Sequence, residues 1–194
     1  MALLALGYQI DTCEPQMRAV RQGKIKLHAL TKGHYPGVKL SSDVMPGLNS
    51  IGFWDGIGAQ DWGLDEHRNE GVEISLLETG KWGFTVDKRL YEVAPGSLTI
   101  TRPWQLHKLG DPNIGPGRLH WLIFDVRVRR PNQEWHWPDW LMLTPHDLAD
   151  PQTASQRNAG VEINARNRAN VSKACTAHPG LEPAALCFAH DRQA

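Results

Sequence analysis

The chain has 194 residues, of which 41% are hydrophobic and 22% charged, the proportions of an ordinary globular protein with room for one domain and an appendage. Its 21 Lys and Arg balance its 21 Asp and Glu. A net charge of zero argues against a whole-chain electrostatic footprint for DNA or RNA. No apolar run approaches the ~20 residues needed to cross a bilayer. Met1–Gly7 is apolar but lacks a basic start, and Asp11 and Glu14 follow soon after, so no secretory signal is expected. Cys13, Cys175 and Cys187 are odd in number and widely spaced, which suits neither a disulfide framework nor a CxxC metal site. A reducing cytoplasm is the expected compartment.

In chain order, Lys24–Leu30 sets Ile25 and Leu27 against Lys24, Lys26 and His28, the alternation of a half-buried strand. Residues 31–66 are punctuated by glycine and proline, which predicts loops with short strands. The most regular stretch follows. Strands are predicted over Val72–Leu77, Trp82–Val86, Leu90–Val93, Leu98–Thr101, Leu106–Leu109 and Arg118–Val128, with turns at residues 78–81, 87–89 and 95–96 and a break at Pro103. Short strands at this spacing predict an all-β jelly-roll or barrel with minor α content, whose closure hides the sheet edges. The aromatic run Trp135–Leu143 is expected to pack outside the barrel or against a partner subunit. Pro145 and Asp147 suggest the start of a short helix.

The texture changes near residue 150. All eight tryptophans lie before that point, and beyond it large apolar residues thin out without helical or strand periodicity. The expected division is a ligand-binding domain over 20–145 and an irregular or disordered tail over 146–194, with a helical turn or two expected at Leu181–Ala189.

The chemistry concentrates in one string: His67, Asn69, Glu73, Gly80, then Pro95-Gly96-Ser97, Pro103 and His107. A Glu one strand after His67, with a Pro-Gly corner returning the chain, brings His107 to face His67 inside a small barrel. Barrels of this size enclose side chains or one small ligand.

The pattern resembles the cupin superfamily, whose first motif runs His-x-His, Glu, Gly and whose second runs Pro-x-Gly and then His. His67, Glu73 and Gly80 fall on the first motif, and Asn69 replaces its second His. The run EVAPGSLTITRPWQLH, with its order of Pro-Gly turn, strand, Pro and His, resembles the N-terminal effector-binding and dimerisation domain of AraC-type transcriptional regulators. That resemblance implies a cupin-like double-stranded β-helix, a small-molecule effector (a sugar being one class), a homodimer and no catalysis. Residues 151–194 offer no pair of helices for a helix-turn-helix. The expectation is a sensor half that does not bind DNA alone, its tail native, truncated or frame-shifted.

The candidate ligand-binding residues are His67, Glu73, His107, Trp82, His120 and Arg102. The first three also suit a metal, but a catalytic cupin metal takes four ligands and Asn69 is a poor imidazole substitute, so neither metal nor other cofactor is expected. Trp82 offers an indole face for a sugar ring, although a strand tryptophan is more often core. His120 shares a face with Leu122 and Phe124, and Arg102 offers an anion clamp. The alternative reading is a metal-dependent cupin enzyme, with His28 or His120 as a fourth ligand. No G-x-S-x-G elbow is present and no cysteine is expected near a histidine, so nucleophilic catalysis has no support.

Overall fold

The computed structural model describes residues 11–130 and 133–142. Helix α1 (Glu14–Arg21) opens with Pro15 in its first turn and closes with Arg18 and Arg21 in its last, matching the constraints of a helix start and the helix dipole. Nine strands follow: β1 (Ile25–Thr31), β2 (Val38–Lys39), β3 (Leu48–Gly56), β4 (Val72–Gly80), β5 (Trp82–Val86), β6 (Arg89–Val93), β7 (Leu98–Thr101), β8 (His107–Leu109) and β9 (Gly117–Phe124). They form a six-stranded sheet of order β2-β1-β3-β9-β4-β7 and a three-stranded sheet of order β6-β5-β8. The larger sheet contributes Trp54, Leu77, Leu119 and Trp121 to a core it shares with Trp82, Phe84, Val93 and Leu109 of the smaller one. This is the expected mostly β, cupin-like fold.

Three expectations need correction. Residues 48–56 form a nine-residue strand central to the large sheet, not a loop with short pieces. Gly52 is a strand residue because a Cβ there would lie 2.3 Å from the His28 carbonyl oxygen, so glycine permits the close approach of β1. The packed unit also starts before residue 20, since Cys13 and Ala19 are 3% and 2% exposed within the core. The last strand stops at Phe124 rather than Val128. The expected tail over 146–194, including Leu181–Ala189 and the helix start at Pro145, lies outside the described residues.

The outer face of the large sheet is also apolar. Leu30, Ile51, Leu122, Ile74 and Ile100 stand opposite one another across five strands. Trp135, Trp137, Trp140 and Leu141 pack against Phe124, Val126 and Val128 at one end of this face, the first of the two roles expected for that run. Asp139–Leu141 makes a single 3-10 turn there.

Candidate functional site

Alternation along the strands decides which side chains face inward. Glu73 of β4 stands opposite Ile123 and Thr101, and Ser75 opposite Trp121 and Thr99, all on the interior face. Small hydroxyl side chains at Ser50, Ser75 and Thr99 leave space between the sheets that leucine or phenylalanine would fill. The result is a cavity of about 40 Å³, walled also by His67, Glu73 and His107. That is room for roughly three water molecules or one small ligand group.

His67 precedes β4 and pairs its backbone with His107 on β8 through reciprocal bonds of 2.9 and 3.0 Å. The two rings are therefore neighbours, with centroids 4.3 Å apart, rather than facing across the barrel. Each imidazole is fixed by the backbone: Nδ1 of His67 donates to the Asp65 carbonyl (2.6 Å) and Nδ1 of His107 to the Gln105 carbonyl (2.9 Å). Both Nε2 atoms are left for the interior. One ligand atom from each of His67, Glu73 and His107 falls within 4.8 Å of the others.

Asn69, 1% exposed, binds the group together. Its amide nitrogen donates to Glu73 Oε2 (2.6 Å), and its carbonyl oxygen accepts from the Tyr35 hydroxyl (3.3 Å). Glu73 further accepts from Ser75 Oγ (3.0 Å) and lies 3.1 Å from His107 Nε2. Burial alone would raise the Glu73 pKa, but the hydrogen bond and charge of His107 hold it below the usual value. Burial pulls the His107 pKa down, and the hydrogen bond it donates to Glu73, with the carboxylate charge, more than reverses this, so it ends raised. His67 is lowered by burial and by His107. The arrangement is a buried imidazolium–carboxylate pair beside a neutral imidazole.

The other three candidates lie elsewhere. Trp82 packs on Trp54 (centroids 6.0 Å) and donates to the Pro116 carbonyl, because inward positions at that end of β5 are filled by core. His120 projects from the outer face of β9, where Nε2 meets Glu78 Oε2 at 2.5 Å. A one-residue step along a strand reverses the face, and Leu119 and Trp121 take the interior. Arg102 sits in the turn after β7, its backbone N–H donating to Gln105 Oε1 (3.0 Å). None of these three lines the cavity.

Residues not singled out from the sequence do line it: Asp11, Cys13, Tyr35, Trp54 and Phe84. Cys13 corrects the expectation that no cysteine lies near a histidine in folded chain. Burial, then Asp11, pushes its thiol pKa well up, so it is a protonated, unreactive thiol.

The two-sheet barrel with inward-facing His67, Glu73 and His107 is a cupin-like β fold. Residues 57–139 match the family model of the AraC-like ligand binding domain. Among solved structures, the chain is similar to a cupin superfamily protein from Desulfitobacterium hafniense (10% identity, 52% of this chain and 78% of that one, TM-score 0.38). It is also similar to a cupin 2 conserved barrel domain protein from Leptotrichia buccalis (15%, 54% and 42%, 0.40). A third is described as a predicted oxalate decarboxylase from Thermotoga maritima (17%, 54% and 96%, 0.38). No curated protein matches.

Proposed function

We propose that this chain is the effector-sensing and dimerisation part of an AraC-type transcriptional regulator and does not bind DNA by itself. The observation that carries the reading is the convergence of His67, Glu73 and His107 on one enclosed cavity within a segment matching the AraC-like ligand binding domain. A hydroxylated effector, a sugar among them, suits donors and acceptors held this way, with the indoles of Trp54 and Trp121 as apolar walls. A ligand larger than the cavity requires Asp11, Cys13 and Gln16, which line it, to move. Its binding would then shift the balance between two arrangements of the domain. Homodimerisation would use the aromatic segment at residues 135–142, whose Trp135, Trp137 and Trp140 keep partial exposure. The test is effector titration calorimetry: His107→Ala weakens binding while the domain stays folded, and unchanged affinity would remove the pocket assignment.

A second reading, a metal-dependent cupin enzyme, has one observation in its favour. The Nδ1 atoms of His67 and His107 are both tied to carbonyls, which is how metal-ligating histidines are oriented. Those two Nε2 atoms and the Glu73 carboxylate form a three-donor set that fits a divalent metal. Such an ion would supply Lewis acidity. Against this, Asn69 directs an N–H donor at Glu73, where a fourth ligand would offer a lone pair. Elemental analysis after dialysis decides: a stoichiometric transition metal favours the enzyme.

A further inference from the structure

Charge inside the barrel has a negative balance. Two carboxylates, Glu73 and Asp11, line the cavity, while the described residues that line it include no lysine or arginine. Lys39 is close in sequence to Tyr35 but holds its ammonium against the carbonyls of Gly33 and Tyr35. The lining offers two imidazoles as possible cations: His107 is already engaged by Glu73, and burial disfavours charge on His67. The remaining walls include the π faces of Tyr35, Trp54, Phe84 and Trp121. Carboxylates and aromatic faces both attract positive charge in a desolvated space. An anion would meet the Asp11 carboxylate and a Glu73 already balanced by His107, with no guanidinium or ammonium to receive it.

A second observation points to a ligand here. Trp54, 2% exposed, lines the cavity, and its indole N–H has no hydrogen-bond partner among the described residues. A buried donor left unmade costs about 1–3 kcal/mol, so an acceptor oxygen delivered to it is worth binding energy.

From the negative balance of charge and the orphaned indole donor, we propose that the effector of this cavity is a small hydroxylated ammonium compound, its cation directed to Asp11 beside the Glu73–His107 pair and an oxygen to Trp54. This rests on the reading of the barrel interior as the effector site and narrows it to one charge class. Arg102, the anion clamp considered from sequence, plays no part, because it lies outside the cavity.

The experiment is an NMR titration of the full chain, chelator present, with three probes that differ mainly in charge: propanolamine, propanediol and hydroxypropionate. The indole N–H resonances of Trp54 and Trp121 report binding. Propanolamine is expected to shift both and to bind about tenfold more tightly than propanediol, with hydroxypropionate weakest. Glu73→Gln and Asp11→Asn each reduce that preference, while Trp54→Phe weakens propanolamine and propanediol alike. Tightest binding by hydroxypropionate or propanediol overturns the charge assignment and leaves the effector site standing. No shift of either indole with any probe overturns both.

Discussion

The Glu73 carboxylate and the His107 imidazole lie 3.1 Å apart inside the barrel, joined by strands 34 residues distant in sequence. With His107 Nδ1 committed to the Gln105 carbonyl, only a protonated Nε2 can donate to Glu73, so the pair is held as imidazolium and carboxylate. The arrangement ties fold, charge and site together.

Stability should depend on pH through this pair. His107 is raised above 6.5 in the fold, so its contribution is complete below 6.5 and is lost as pH rises through the raised value. Glu73 is lowered below 4.5, so its contribution is present above 4.5 and lost as pH falls through the lowered value. His67 acts oppositely to His107, because a neutral buried imidazole opposes folding below 6.5. In melting curves, the gap in Tm between the native protein and Glu73→Gln should therefore be larger near pH 6 than near pH 9. An equal gap at both would mean the pair is not ionised as described.

Asn69 satisfies Glu73 and Tyr35 at once. Asn69→Ala leaves the buried Tyr35 hydroxyl without this partner and deprives the carboxylate of a donor. Urea unfolding should show a loss of about 1–3 kcal/mol. A neutral result would mean that water or a rearranged side chain replaces the amide.

Cys13 should resist alkylation. Its thiol, raised by burial and Asp11, holds less thiolate at any pH than an exposed cysteine. Peptide mapping after iodoacetamide treatment should find Cys13 labelled much more slowly in native than in urea-unfolded protein. Equal labelling would show that Asp11–Gln16 does not close the barrel.

Gly52→Ala should destabilise the domain by about 1–3 kcal/mol, because the new methyl collides with the His28 carbonyl and the Ala29 side chain in the facing strand. Thermal denaturation checks this, and a wild-type Tm would contradict the register between β1 and β3.

The strands from Val72 to Leu109 were legible because turn residues punctuate them, and the motif spacing placed His67, Glu73 and His107 in one interior. The rest was hidden for specific reasons. In β4, Ile74 and Leu76 face outward while Glu73 and Ser75 face inward, the reverse of the usual apolar-in pattern, because both faces of the large sheet are covered in part. That inversion conceals the polar lining. His120 was assigned by apolar neighbours to an interior face, and its face proved to be the outer one. Gly52 disguised a strand as a loop. Asp11 and Cys13 reach the cavity only through tertiary packing, and no local pattern signals it.

The central claim is that ligand recognition belongs to the barrel interior. Thermal-shift screening of the native protein against a library of small amines, polyols and acids, repeated on His107→Ala, Glu73→Gln, Arg102→Ala and His120→Ala, tests it most directly. Stabilising compounds are expected to lose their effect in the first two variants and keep it in the last two. Loss confined to Arg102→Ala or His120→Ala would place recognition on the outside and contradict it.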